Sequence, residues 1–340
     1  MRKLLNTLYI TNENAYLSLD GENIVCKLED NEKFRLPFDN VESVVCFSYL
    51  GCSPALMGKC AEKLIPISFI SPSGKFLAKV SGETRGNVFL RVAQIDKFRE
   101  CGLQLAQNGI ATKVGNSIHL LNRSRHDNPV LRNDSDMNCV IEQLKDGIDA
   151  VYKAASLETV LGIEGNCAKA YFSVFGKLIK SDTFNFVQRS KRPPLDAVNA
   201  VLSFIYTLFT NEYASALETV GLDSYIGFFH SLRSGRHSLA CDLVEETRAL
   251  VERFTITLFN LGIVSANDFE VQISGAVYLN DDGRKKVLTK WQEKKRTDFL
   301  HPYLRQKIPL GLIPYIQSNL LAKYVRGEIE EYPTLILKTT

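Results

Sequence analysis

The feature that most constrains the fold is a change of hydrophobic period near residue 81. Before it, apolar residues come in short runs broken by turn residues. Leu5 to Ile10 is rich in β-formers. Tyr16-Leu17-Ser18-Leu19 faces Asn23-Ile24-Val25-Cys26 across Asp20-Gly21, and Phe34-Arg35-Leu36 and Val41 to Val45 follow. Asp-Gly between two such runs signals a hairpin, because glycine accepts the positive φ of a tight turn. A short helix is expected over Pro54 to Lys63, then a strand from Pro66 to Ile70. A turn at Ser71-Pro72-Ser73-Gly74 and a return strand from Lys75 to Val80 complete the pattern.

No strand alternation follows the polar stretch Ser81-Gly82-Glu83-Thr84-Arg85-Gly86. Val88, Val92, Ile95 and Phe98 sit at helical spacing instead. Helical patterning then continues to the end, with breaks near Asn122 to Asp136, Ser181 to Pro194, Gly221 to Arg236 and Ser265 to Phe269. A chain of 340 residues suits two domains. The expected fold is α+β: a small N-terminal β domain over residues 1–84, followed by a larger all-α domain over residues 85–340.

Lys and Arg total 41 against 38 Asp and Glu, a net charge of +3. That excludes a nucleic-acid binder acting through bulk charge, so an anionic partner must be met by local patches. None of the eight cysteines is separated from another by two residues, which excludes a zinc ribbon or thioredoxin-like pair. Free thiols in a reducing compartment are expected. The opening MRKLLNTLYI turns polar too soon for a signal peptide. The longest apolar run, Ala200 to Thr210, is about half the length of a membrane helix, so a cytoplasmic protein without membrane contact is expected.

Three segments could carry chemistry. Glu164 lies among Leu157, Leu161, Ala168, Tyr171, Phe172 and Phe175, which are spaced as one helix face. A carboxylate there is costly unless it is paired or binds a metal. A glutamate at the edge of the face, reaching water or an arginine, is the plainer reading, although Gly162 and Gly165 would allow another element to approach. His230 ends the run Gly221 to Phe229; it reads either as a hydrogen-bonded core residue or as a ligand. Asp242 and Glu245 share a face of a helix expected to start at an N-capping Ser238, where first-turn acids would also suit the helix dipole. Two carboxylates and one imidazole, with Asp242 adjacent, would suit Mg²⁺ or Mn²⁺, although spacing alone does not bring these segments together. Arg189 and Arg192, Arg233 and Arg236, and Arg248 lie near these segments and are candidates for phosphate contacts. The run from Arg284 to Arg296, with Trp291 inside it, reads as a solvated helix face.

These residues together resemble the CRISPR-associated integrase family, the endonuclease subunit of the spacer-acquisition complex, and most closely its subtype I-C form. The resemblance covers essentially the whole chain. It rests on Leu4-Leu5-Asn6-Thr7-Leu8-Tyr9 with Ala15 to Gly21, on Ser53-Pro54-Ala55-Leu56-Met57, and on Arg85-Gly86-Asn87-Val88. It continues through Gly162-Ile163-Glu164-Gly165, Pro193 to Ala200, Gly221 to His230, Asp242-Leu243-Val244-Glu245-Glu246 and Tyr324-Val325-Arg326-Gly327-Glu328. One departure is the tail Tyr332 to Lys338, which lacks the expected second proline and tryptophan.

The resemblance implies a metal-dependent catalytic helical domain and homodimers built mainly through the β domain. It implies a divalent metal, Mg²⁺ or Mn²⁺, at Glu164, His230 and Glu245, with Asp242 close by. It also implies a small ferredoxin-like partner subunit, with two integrase dimers bridging one partner dimer in a heterohexamer, and an iron–sulfur nuclease that trims the incoming DNA. The implied reaction is attack of a 3′-hydroxyl of a short double-stranded DNA fragment on a phosphodiester of the CRISPR repeat. A non-catalytic nucleic-acid scaffold and a helical hydrolase of small phosphoesters are the rival readings.

Overall fold

The structure, a computed structural model, describes residues 6–337 apart from 30, 72–74, 81, 83–87, 182 and 231–232. The expected turn at 72–74, the domain limit at 84/85, and the motif residues Leu4, Leu5, Arg85, Gly86, Asn87 and Lys338 lie outside the described residues.

The first part is built from strands β1 (Thr7–Ile10), β2 (Ala15–Asp20), β3 (Asn23–Leu28), β4 (Asn31–Pro37), β5 (Ser43–Cys46), β6 (Ile67–Ile70) and β7 (Phe76–Val80). They form two sheets. One is the antiparallel meander β2-β3-β4; the other has the order β1-β5-β6-β7, parallel except for its last pair. The hairpin at Asp20-Gly21 forms as the sequence predicts, with Gly21 at φ +55°. Helix α1 (Pro54–Glu62) starts where Ser53 Oγ accepts a hydrogen bond from Leu56 N and Pro54 occupies the first turn. Leu17, Ile24, Leu56 and Ile67 are fully buried in this core.

The second part contains α2 (Val88–Asp127), α3 (Pro129–Arg132), α4 (Ser135–Lys153), α5 (Leu157–Phe175), α6 (Ala197–Val220), α7 (Ser238–Asn260), α8 (Asp281–Lys295) and α9 (Ile313–Val325). Helix α2 has 40 residues, so it is about 60 Å long and runs into the break expected after Asn122. It packs against α4, α5 and α7, while α6 packs against α7 and α9. Helix α6 is buried on nearly every side, as a helix apolar all round must be. The β part is joined to this helical core by Phe47, which stacks on Phe204 at 5.9 Å, and by the Lys79–Glu218 ion pair at 2.6 Å. Among the described residues no helix is long and apolar enough to cross a membrane.

The second part also holds two hairpins that helical patterning did not reveal, β8 (Phe269–Val271) with β9 (Val277–Leu279) and β10 (Asp298–Leu300) with β11 (Lys307–Pro309). Three residues per strand give too little alternation to read. The basic run is only in part a solvated face: Lys285, Lys286 and Arg296 are exposed, but Arg284 is buried. Trp291 is fully buried against Phe209 and Phe254, and Lys295 is buried against Glu212 at 2.9 Å. The shared burial of these side chains turns one side of α8 into the core.

The tail after α9 is tied down by polar contacts. Thr334 and Thr112 share a hydroxyl hydrogen bond at 2.6 Å, and Asn116 Nδ2 donates to Leu335 O while its Oδ1 accepts from Leu337 N, both at 2.8 Å. Glu246 Oε2 accepts from Leu335 N, Gln317 Nε2 and the Tyr332 hydroxyl.

Candidate active site

Helix α7 begins without a capping side chain, and its first turn holds no acidic residue. Ser238 is its first residue and not its cap. Asp242 therefore lies about one turn in and Glu245 about two, both beyond the reach of a first-turn dipole effect. Both are buried: Glu245 against the charged Lys113 and Arg248, Asp242 against backbone N–H groups and the His230 ring.

Asp242 organises the preceding loop. Its Oδ2 accepts from Phe228 N at 2.8 Å and Phe229 N at 3.1 Å, and its Oδ1 from His230 N at 2.9 Å. Oδ1 also lies 2.6 Å from His230 Nδ1. The carboxylate fixes the proton on Nδ1, which leaves Nε2 as the basic nitrogen. Asp242 has its lone pairs committed to this loop, so it orients His230. Gly227 makes the approach possible: a Cβ there would stand 2.5 Å from Asp242 Oδ2 and 2.9 Å from Ser238 C. From the other side, the fully buried Gln94 of α2 donates to Asp223 O and Ile226 O and accepts from Asp223 N, each at 2.9 Å.

Glu164 and Glu245 converge on a residue the sequence did not single out, Lys113 of α2. The Lys113 ammonium contacts Glu164 Oε1 and lies 2.6 Å from Glu245 Oε2. Arg248 grips the same Glu245 carboxylate with two donors, at 2.6 and 2.7 Å. Burial alone would push the Glu245 pKa up. The Arg248 and Lys113 charges hold it well below the usual carboxylate range. Burial likewise works against the Lys113 ammonium, and Glu245 and Glu164 more than reverse it, raising its pKa.

A small cavity of about 30 Å³, enough for a water molecule, opens beside this cluster. Lys113, Glu164, Lys191, Arg248 and Glu252 are among the residues that line it. The Lys191 side chain retains substantial exposure, yet crowding by protein atoms, then Arg248 and Lys113, push its pKa down to about 8. Glu252 accepts the hydroxyls of Tyr206 at 2.8 Å and Tyr171 at 2.9 Å, and the Arg248 guanidinium lies 4.7 Å from the centre of the Tyr206 ring.

The buried face of α5 is offset from the expected stripe. Val160, Cys167, Tyr171, Val174 and Phe175 are buried while Leu161 is exposed, which puts Glu164 at the boundary, with its side chain 19% exposed. Of the basic candidates, Arg189 turns inward: it donates to Asn199 Oδ1 at 2.7 Å and Ser203 Oγ at 3.0 Å, bracing the start of α6. Arg248 is committed to Glu245. Arg192 and Arg233 are exposed, and Arg236 is half-buried. Lys113 and Gln94 escaped the sequence reading because neither breaks the pattern of α2; only their partners, distant in sequence, mark them.

Among the described residues no three His, Cys, Asp or Glu side chains are arranged to share one ion. The donor chemistry of Glu164 and Glu245 fits a hard divalent cation, since both carboxylates already close on a positive charge. His230 is oriented by Asp242, which lies one turn before Glu245 on α7.

The model of the family described as CRISPR associated protein Cas1 matches residues 8–293. The CRISPR-associated endonuclease Cas1 1 of Chlorobaculum tepidum is 40% identical over 342 residues, covering 99% of each chain. The CRISPR-associated endonuclease Cas1 2 of Rhodospirillum rubrum is 43% identical, covering 98% of each. Among solved structures, a casposase bound to its integration product is similar with a TM-score of 0.85 at 20% identity, covering 96% of this chain and 92% of that one. A Cas1 protein from Thermotoga maritima gives 0.81 at 20% identity, covering 98% and 100%. These two structures define the class by fold: a β region followed by a mostly helical one. The full-length identities and the family match go further, and the chain belongs to the CRISPR-associated Cas1 family.

Proposed function

We propose that this chain is a metal-dependent DNA integrase of the subtype I-C spacer-acquisition machinery. The observation that carries the reading is the convergence of Glu164 and Glu245, from helices far apart in sequence, on one largely enclosed positive charge, with the His230 imidazole held by Asp242 one turn before Glu245 on the same helix. Glu164, Glu245 and His230 would hold Mg²⁺ or Mn²⁺, which when bound polarises the target phosphodiester and stabilises the departing 3′-oxygen. Arg248 fixes the Glu245 carboxylate, and Asp242 holds the His230 ring by its Nδ1, leaving Nε2 outside that contact. In the joining step the incoming 3′-oxygen forms a bond to phosphorus, the P–O3′ bond of the repeat breaks, and the attacking hydroxyl's proton leaves to solvent. Water in place of that hydroxyl gives cleavage, so nuclease activity accompanies joining. Arg192, Arg233 and Arg236 are placed to meet DNA phosphates, in contacts that weaken as salt rises.

The working unit is proposed to be a homodimer, paired through the β domain, that assembles in the cytoplasm with the small ferredoxin-like subunit into a heterohexamer. An iron–sulfur nuclease trims the incoming DNA. Similarity to a Cas6-RT-Cas1–Cas2 complex, and to a Cas4/Cas1 fusion of Geobacter sulfurreducens at 31% identity over 97% of this chain and 60% of the fusion, supports those partners. Strand transfer of a short duplex into supercoiled plasmid tests the reading. Glu164→Ala and His230→Ala are each expected to abolish joining while DNA binding persists; joining retained in either variant overturns the catalytic assignment.

A further inference from the structure

We propose that Lys113 is a built-in counter-ion of the carboxylate pair, which a divalent cation must displace in order to bind. The inference rests on the metal-binding reading above and adds to it a specific exchange. Lys113 reaches from α2 between α5 and α7, and its ammonium touches one oxygen of each carboxylate. Its side chain is 12% exposed, so this is a protein-enclosed contact. Among the described residues Lys113 is the only ion-pair partner of Glu164, whereas Glu245 also has Arg248. Without Lys113 the two acids would face one another with little solvent to separate them, and Glu164 would be free to turn away.

An ammonium and a divalent cation compete for these oxygens and repel each other at such range. Metal entry is therefore an exchange, in which Lys113 withdraws from both carboxylates as the ion arrives. Two consequences follow. The empty protein keeps its carboxylates together, ready for the ion. The apparent affinity for metal is lowered in proportion to the rarity of the state in which Lys113 has withdrawn.

Mn²⁺ titration of the full-length protein, by calorimetry and by the electron paramagnetic resonance signal of free Mn²⁺, tests this on wild type, Lys113→Gln, Lys113→Arg and Glu164→Gln. Lys113→Gln should bind Mn²⁺ about tenfold more tightly or better, and Lys113→Arg should stay near wild type. Equal or weaker binding by Lys113→Gln overturns the counter-ion role. Binding in wild type that Glu164→Gln leaves unchanged, or no binding in any variant, overturns the metal reading itself and this inference with it. A wild-type measurement stands apart from any folding defect. Amine acetylation followed by mass spectrometry should find Lys113 protected without metal and labelled several-fold faster when Mn²⁺ saturates the site. Protection unchanged by bound Mn²⁺ overturns the exchange.

Discussion

Glu245 and Glu246 are neighbours on α7, both buried, and their surroundings drive them in opposite directions. Glu245 faces charged partners, Lys113 and Arg248, and its pKa is held well below the ordinary carboxylate value. Glu246 faces neutral donors, Gln317, Tyr332 and Leu335 N, and among the described residues its Oε1 has no hydrogen-bond partner; burial pushes its pKa up to about 7. The same residue type on consecutive positions thus serves as a permanent anion on one side of the helix and as a proton-holding structural tie on the other. Burial alone does not set the charge of a carboxylate; the charge of the partners it meets does.

The largest expected effect separates the two directly. Glu245→Gln should lower strand transfer about a thousandfold or more, because it removes a charge from the reacting centre. It also leaves Lys113 and Arg248 short of an anion, at a cost of about 3–5 kcal/mol in urea unfolding. Equal loss of joining in Glu246→Gln would erase the distinction. Asp242, the third buried acid of α7, extends it: Gly227→Ala should push on its carboxylate, tilt His230 and cut joining about 10- to 100-fold with little loss of DNA binding.

A smaller effect tests the opposite signs of the two titrations. The folded-state pKa of Glu246 lies above the ordinary 4.5, so between about 4.5 and 7 the folded protein keeps a proton that the unfolded chain has released. Its contribution is full below that window and is lost as pH rises through it, by roughly 2–3 kcal/mol. Glu246→Gln should abolish this component and be more stable than wild type, relative to acid conditions, at pH 8. The Glu245 contribution runs the other way, present above pH 4.5 and lost as acid protonates the folded form. Denaturant melts of wild type and both variants from about pH 2 to pH 8 check both signs. The smallest effect concerns the arginines: Arg192→Ala and Arg233→Ala should weaken DNA binding a few-fold and each lower the salt slope by about 1. Arg189→Ala should cost stability and leave the slope unchanged.

The strand region was legible because its turns are written locally, as at Asp20-Gly21 and Ser53-Pro54, and α5 and α7 because their apolar residues repeat at helical spacing. The acids and the histidine of the site could be named from their positions in those patterns. What was hidden is relational. Lys113 is an unremarked polar residue until α5 and α7 come to it, and Arg189 looks like a surface charge until Asn199 and Ser203 claim its donors. Trp291 and Lys295 are buried because β1 and α6 cover α8, which no spacing within α8 records.

The tail carries a consequence for the site beside it. Thr334, Leu335 and Leu337 are fastened to Thr112, Asn116 and Glu246, residues flanking Lys113 on one helix and Glu245 on the other. The chain's closing segment is thus a brace across the two rods whose alignment brings cation and anion together. A force applied to the far terminus would reach the centre of the molecule as a slip between those rods.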